Sequence, residues 1–143
     1  MWKNIIRSIS LNLSMKNPAT KDELADIQKW LHVELPNELY QLLQETNGIE
    51  GEYGDFIWSA SKIKTENMNM RNIVDFKDLY MPFDCLLFFA DGGNGDLFGY
   101  SILNGMVQRD DIYVWNHEND SRTWIAPSLK PFMEWWESGK ITI

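Results

Sequence analysis

The spacing of apolar residues changes near residue 85 of this sequence. Before that point, apolar residues recur every three or four positions, as on one face of a helix; after it they run together or alternate, as in strands. Three segments of the second kind, CLLFFA, LFGYSI and DIYVW, follow one another with short connections. Because a parallel crossover needs about a dozen residues or more, these segments are predicted to form three antiparallel strands.

Two helices are predicted near the start of the chain. In the first, polar residues separate the members of a single apolar stripe: Trp2, Ile5, Ile6, Ile9 and Leu13. We expect this helix to dock on the core rather than on a membrane, because its two cations, Lys3 and Arg7, would anchor lipid weakly. Thr20 and Glu23 have capping-box spacing, which predicts a second helix over residues 21–32.

Two more helices are delimited by residues that favour helix ends. Pro36 suits a first turn and Gly48 suits a left-handed C-terminal cap, so a third helix is predicted to end near Asn47. At the end of the chain Ser128 is a suitable N-cap, and Gly139 follows an apolar stripe. We therefore predict a C-terminal helix capped by Ser128.

The remaining segments complete the prediction of fold class. A short strand is expected from Phe56 to Trp58, and mixed helix and loop over 61–80. The chain shows no internal repeat, linker or low-complexity tract, and its 143 residues suffice for one core. The sequence predicts a single α+β domain over residues 1–143, with a mainly antiparallel β-sheet flanked by N-terminal and C-terminal α-helices.

The glycine-rich stretch FADGGNGDLFGY, residues 89–100, has three possible roles. Its glycines are one residue too far apart for a dinucleotide fingerprint, and a strand follows where that motif needs a helix. It resembles a calcium-binding repeat, but its aspartate comes one place early and the motif occurs once. A tight hairpin turn fits better, since glycine and asparagine accept positive φ angles. Asp91 and Asp96 are then expected to be exposed at this turn.

The charge of the chain restricts its partners. Thirteen Lys and Arg against 21 Asp and Glu give a formal net charge of −8. This sign disfavours direct binding of nucleic acid, whose phosphates attract cations. It would attract a basic partner, although acidity is also an ordinary route to solubility.

The location of the protein is predicted from what its sequence contains. The first residues lack a cleavable signal pattern, and no apolar run approaches the roughly 18 residues of a membrane span. Cys85, the single cysteine, lies in the apolar run CLLFFA and is predicted to be a buried, reduced thiol. We therefore expect a soluble, cytoplasmic protein that does not associate with membranes.

Residues with catalytic potential are few. A Cys85–His117 pair would need an exposed, acidified thiol, and the two histidines are too few for a conventional zinc site. A hydrolase built around Asp96, His117 and Glu118 is the enzyme alternative, but the stretch WNHEND is more typical of a solvated loop. We predict no catalytic residue, no cofactor and no metal.

Seven tryptophans in one small domain suggest an aromatic binding surface, because tryptophan is enriched in interface hot spots. Trp2 and Trp30 lie in helical apolar patterns and are expected in the core, together with one of the adjacent pair at 135 and 136. Trp58 and Trp115 adjoin acidic loops. We predict that these two contact a partner.

Five motifs occur in order along the chain: LPNELYQLLQETNG, DFIW, DGGNGDLFGY, IYVWNHE and WIAPSLKPFMEWW. Together they resemble the Smi/Knr-like branch of the SUKH superfamily, over about residues 20–138. The resemblance implies a twisted sheet flanked by helices. It also implies one of two roles without catalysis: bacterial members are immunity proteins that neutralise toxins, often nucleases, whereas fungal relatives are intracellular hubs in cell-wall regulation.

The resemblance and the acidic charge lead to one hypothesis about function. A nuclease carries basic residues for its phosphate substrate, so an acidic inhibitor can associate with it quickly through electrostatic steering. We expect Trp58 or Trp115 to be the apolar anchor, and the contacting carboxylates to be these: Glu50, Glu52, Asp55, Asp91, Asp96, Asp110, Asp111 and Glu118. A solvated rim remains the simpler role for any single acid, and a regulatory scaffold remains the alternative function.

Overall fold

The computed structural model describes residues 1–52, 54–73 and 79–143. Over this part of the chain one antiparallel sheet has its strands in sequence order. The strands are β1 (Ser14–Met15), β2 (Ile49–Gly51), β3 (Gly54–Ile57), β4 (Leu86–Asp91), β5 (Leu97–Ser101), β6 (Ile112–Trp115) and β7 (Arg122–Ala126). The helices are α1 (Trp2–Ile9), α2 (Lys21–Leu31), α3 (Asn37–Glu45), α4 (Ala60–Asn72) and α5 (Leu129–Glu137), with a 3-10 turn at Phe83–Cys85.

This architecture confirms the predicted α+β class. The three strands predicted after residue 85 are β4, β5 and β6, and they pair antiparallel in that order. The segment predicted as mixed helix and loop contains α4, and its residues 74–78 lie outside the described residues. None of the described helices is long and apolar enough to cross a lipid bilayer.

The strand registers place three hairpin turns at one end of the sheet. These turns are closed by the pairs Gly51–Gly54, Asp91–Leu97 and Trp115–Arg122. Successive turns of an antiparallel meander alternate between the two ends, so the long β5–β6 loop, residues 102–111, lies at the other end. We call the first end the hairpin edge and the second the loop edge.

The core on one face of the sheet is aromatic and centres on α5. Phe132 of this helix is fully buried. Its ring meets three phenylalanine rings of the sheet at centroid distances of 5.8, 5.6 and 4.8 Å: Phe56, Phe89 and Phe98. Trp2 and Ile6 of α1 are also buried, and α1 contacts α3 and α5. The prediction that the first helix docks on the core is confirmed.

The other face of the sheet meets α4 and the 3-10 turn. There Phe88 lies 5.9 Å from Phe83 and 6.0 Å from Trp115, measured between ring centroids. Asn67 of α4 is 1 % exposed, and its amide donates to the Phe88 carbonyl at 2.8 Å while its oxygen accepts from the Phe88 N–H at 2.8 Å. A buried side chain therefore pairs the backbone groups of Phe88 as a neighbouring strand would.

The ends of α2 and α3 follow one of the sequence signals and depart from another. Thr20 and Glu23 form the predicted capping box at the start of α2, which ends at Leu31. However, α3 ends at Glu45, two residues before Asn47, because the chain is already extended at Thr46. Gly48, at φ +91°, then passes so close to β3 that a Cβ would lie 2.8 Å from the Ile57 carbonyl oxygen.

The N-terminus of α5 has a different cap from the one predicted. Ser128 makes no side-chain capping bond. Instead the carboxylate of Glu38, from α3, accepts the Leu129 N–H at 3.0 Å and the Tyr100 hydroxyl at 3.0 Å. Burial raises the pKa of Glu38 to about 7, the charge of Asp110 adds to this rise, and the two hydrogen bonds oppose it. Glu38 therefore joins α3, β5 and α5 through one titrating group.

The free energy of unfolding should depend on pH through Glu38. Its pKa is raised from 4.5 to about 7 in the folded chain, so the folded state binds the proton more tightly. This group's contribution is present in full below pH 4.5 and is lost as the pH rises through about 7. Linkage makes the difference worth about 3 kcal/mol at most.

Glu38→Gln keeps an acceptor oxygen but removes the titration. We expect the free energy of unfolding of this variant to rise relative to the native chain as the pH increases from 5 to 8, by up to about 3 kcal/mol. Urea unfolding of both proteins at several pH values measures the difference. A difference that stays constant over this range would contradict the assignment.

Candidate functional site

An acidic cleft of about 290 Å³ lies at the hairpin edge, between the β2–β3 and β4–β5 turns and the end of α5. Its lining includes four carboxylates: Glu52, Asp55, Asp91 and Glu137. Phe56 and Trp136 form its aromatic side. The Trp136 ring packs on Phe98 and Phe56, with centroids 5.4 and 6.4 Å apart. The structure thus brings Glu52, Asp55 and Asp91 of the predicted acids together in one cleft, and adds Glu137 and Trp136.

Two lysines neutralise part of this surface. The Lys62 ammonium lies 3.1 Å from Asp55 and 3.8 Å from Asp91, and Lys16 lies 3.4 Å from Glu50 and 3.8 Å from Asp55. These partners hold three of the predicted acids in ion pairs within the chain.

Glu52 and Glu137 differ from the other acids of the cleft. Within the described residues neither side chain makes a hydrogen bond or an ion pair, and both residues are exposed. Because a paired carboxylate must first lose its partner, these two are the acids of the cleft most available to an external cation.

The two predicted tryptophan anchors are not available at the surface. Trp58 is 1 % exposed, and its indole N–H donates to Asp91 at 2.8 Å, while Lys62 lies over its ring at 5.4 Å. Trp115 is 4 % exposed and donates to Asp120 at 2.7 Å. Trp115 is the last residue of β6, and Trp58 directly follows β3; both rings are packed in the core. The expectation of an exposed anchor at these positions is wrong; Trp58 orients a carboxylate of the cleft instead.

Asp96 is buried rather than exposed at the turn, which corrects the prediction for this residue. It is 3 % exposed, and one carboxylate oxygen lies 2.6 Å from Nδ1 of His117 and accepts the His117 backbone N–H at 3.1 Å. Burial acts to raise its pKa, but these hydrogen bonds hold the pKa of Asp96 below its ordinary value. Asp96 therefore ties the β6–β7 turn to the β4–β5 turn.

The arrangement needed for a hydrolase built around Asp96, His117 and Glu118 is present only in part. Asp96 and His117 do form a hydrogen-bonded pair, but Glu118 is exposed beside them, and its backbone N–H binds Asn116. Among the described residues no group of three His, Cys, Asp or Glu side chains is arranged to hold a metal ion.

Cys85 is exposed, not buried as predicted. It is the last residue of the 3-10 turn, and the buried run of β4 begins one residue later, at Leu86. Its sulfur lies 3.0 Å from Nη1 of Arg122 and 3.3 Å from the Pro82 carbonyl oxygen. The thiol thus contacts Arg122 of β7, and no described contact joins it to His117.

The remaining predicted residues divide between the two ends of the sheet. Glu50, on β2, and Glu118, in the β6–β7 turn, lie at the hairpin edge. Asp110 and Asp111 lie in the β5–β6 loop at the loop edge. Hydrogen bonds from Trp124 and Arg109 lower the pKa of Asp111. These last two acids cannot share a contact surface with the cleft.

Other tryptophans also depart from the sequence prediction. Trp30, expected in the core, is 49 % exposed with Lys64 over its ring at 5.0 Å, whereas Trp2 is buried as predicted. The adjacent pair, Trp135 and Trp136, is half-buried on both sides of α5. The sequence signal that could have identified Trp136 is this adjacent pair, because two neighbouring residues of a helix cannot both face the core and one of them must be partly exposed.

A match to a family model agrees with the resemblance drawn from the order of the motifs. A family model described as SUKH_6, SMI1-KNR4 cell-wall, matches residues 21–133, which is most of the chain. The chain belongs to this SUKH family. The match covers α2 to the middle of α5, so the sheet and the acidic cleft are formed largely from the SUKH region. No curated protein matches the chain in sequence.

Proposed function

We propose that this SUKH domain is a bacterial immunity protein that acts in the cytoplasm, where it binds and neutralises a basic protein toxin at its hairpin edge. The observation that carries the proposal is a pair of carboxylates, Glu52 and Glu137, that have no partner among the described residues and lie beside the packed Trp136 ring in one cleft. A guanidinium that entered this cleft could bind carboxylate oxygens and lie on an aromatic face. The site is therefore complementary to an arginine of a partner.

The wider charge of the chain supports the same partner class. The net charge is −8, and the hairpin edge carries Glu50, Asp55, Asp91 and Glu118 around the cleft. A nuclease toxin presents cations toward its phosphate substrate. Opposite charges on the two surfaces would accelerate their encounter, and they would make association weaken as salt concentration rises. A nuclease is accordingly the toxin class that we propose.

The proposal needs no catalysis by this chain. Asp96 is positioned by its hydrogen bonds to hold His117 and the β6–β7 turn, which places Glu118 at the hairpin edge. We assign this pair to the support of the binding surface. Because His117→Gln keeps a side-chain N–H donor for Asp96 but removes the imidazole, this variant should leave neutralisation of the toxin intact, whereas a catalytic role of the imidazole would be lost.

Growth protection tests the proposal in cells. Where a neighbouring reading frame encodes a long protein with a basic C-terminal toxin-like domain, that domain is the probe, produced from an inducible promoter. We expect its induction to stop growth, and production of this chain to restore growth and yield a complex of the two proteins on gel filtration. A toxic domain that is neither bound nor neutralised would contradict the proposal. In a separate capture of partners from a lysate, recovery of housekeeping regulators without any toxin would favour a scaffold.

A further inference from the structure

Within the described residues the strand β7 forms one edge of the sheet, with β6 as its single strand neighbour. The Asn116 N–H donates to the Ser121 carbonyl at 2.9 Å, so residues 116 and 121 are a hydrogen-bonded pair. Bonded and non-bonded pairs alternate in an antiparallel ladder, and the register pairs Trp115 with Arg122 and Tyr113 with Trp124. The N–H and C=O groups of Arg122 and Trp124 therefore point away from β6, toward the open edge.

Within β7 there is no proline and no exposed charged side chain, and the register shift of the β6–β7 pair lies at its far end, beside Ile125. Natural edges are protected by charged side chains, proline or very short strands. In β7 the charged side chain, Arg122, turns inward and is 14 % exposed, held by Asp120 and the Met81 carbonyl. The next residues, Thr123 and Trp124, are exposed, and Trp124 is 48 % exposed. A strand whose charged side chain turns inward and whose tryptophan is half exposed is thus available to pair with another strand.

The local charge at this edge also differs from that of the whole chain. Residues 121–133, SRTWIAPSLKPFM, contain no Asp or Glu, although the chain has 21 of them. The two acids that contact β7 side chains are neutralised: Asp111 pairs with Arg109, and Asp120 pairs with Arg122. Two copies of this acidic chain would meet with least repulsion here, whereas a basic partner would be drawn to the hairpin edge.

We propose that two copies of the chain pair antiparallel through β7, about a twofold axis at Thr123. Arg122 of one copy then lies opposite Trp124 of the other, and their outward N–H and C=O groups form hydrogen bonds on both sides of the axis. Thr123 meets its own copy, a favourable pairing of β-branched side chains. The continuous sheet leaves both hairpin edges open, so each copy retains its acidic cleft.

Sedimentation equilibrium of the purified chain over a wide range of protein concentration tests this proposal. The average mass should rise from 16.8 kDa toward twice that value. Trp124→Lys would place a cation at each contact and should raise the dimer dissociation constant at least about tenfold. Trp124→Pro removes the outward N–H together with the indole and its bond to Asp111, and should do the same without breaking the backbone bonds to β6.

Trp30→Lys is the matched control, because Trp30 has nearly the same exposure, 49 %, but lies on α2. This variant should dimerise like the native chain. Salt should change the dimer constant little, unlike association with a basic toxin, so the two proposals can fail separately. A native chain that stays monomeric at every concentration, or a Trp124→Lys variant that dimerises as tightly as the native chain, would overturn the proposal.

Discussion

Replacing Glu52 and Glu137 together by lysine should slow association with the basic toxin domain by about 10- to 100-fold, since steering changes association rates by such factors. Both carboxylates lack partners within the described chain, so their reversal adds repulsion without breaking an internal ion pair. Charge reversal at Glu50 and Asp55 would also break their ion pairs with Lys16 and Lys62. A change in association rate would then have two causes, so Glu52 and Glu137 are the better residues to test. Stopped-flow mixing at low and physiological salt measures the rate.

A second double variant, Glu34→Lys with Asp110→Lys, is the matched control. It makes the same change of net charge with exposed residues that line a groove near the loop edge. Its association rate should fall by less than about threefold, because screening confines the effect of a charge to roughly 8 Å at physiological salt. Equal slowing by both variants would show that net charge, not the cleft, controls association.

Phe132→Ala should lower the free energy of unfolding by about 3–5 kcal/mol, the usual loss for a large aromatic side chain removed from a core. Phe132 is fully buried and contacts the rings of Phe56, Phe89 and Phe98. Its removal leaves a cavity between α5 and the sheet, which these stiff rings fill poorly. Urea unfolding monitored by tryptophan fluorescence measures the change.

Lys130→Ala, at an exposed position of the same helix, provides the control for this substitution. It should change the free energy of unfolding by less than about 0.5 kcal/mol. A loss below about 1 kcal/mol in Phe132→Ala would contradict this prediction. It would mean that the surrounding side chains move into the cavity, as they cannot do around a rigid site.

The part of the fold that the sequence predicts is the part with strong local patterns. The capping box at Thr20 and the apolar runs of β4 to β6 specify their elements through local chemistry. In contrast, β1 spans only Ser14–Met15 and β2 only Ile49–Gly51, too short for any alternation to be visible. Such strands exist because neighbouring strands and helices already position them.

Side-chain burial at element ends was harder to predict than the elements. On α2 the buried positions are Leu24, Ile27 and Leu31, and Trp30 lies about 90° around the helix from the centre of that stripe. Trp30 was predicted in the core because it fits the helical apolar pattern of α2, although it lies at the margin of the buried stripe. The opposite error occurred for Asp96, whose burial depends on His117, a partner 21 residues away that only the sheet brings near.

The acidic cleft could be predicted only as a set of separate acidic turns. The β2–β3 turn and the β4–β5 turn share an edge because β3 pairs with β4, although α4 separates these two strands along the sequence. Glu137 joins them because α5 lies across the same sheet, through Phe132 and Trp136. Each step depends on a long-range contact, so the sequence indicates the residue types but not their assembly.

The most direct test of the proposed function is a titration of the purified toxin domain's activity with this chain. We expect activity to fall linearly to zero at one equivalent of native chain. The Glu52→Lys, Glu137→Lys variant should require a large excess, and the Glu34→Lys, Asp110→Lys variant should match the native chain. Full toxin activity at a large excess of native chain, or equal inhibition by both variants, would contradict neutralisation through the hairpin edge.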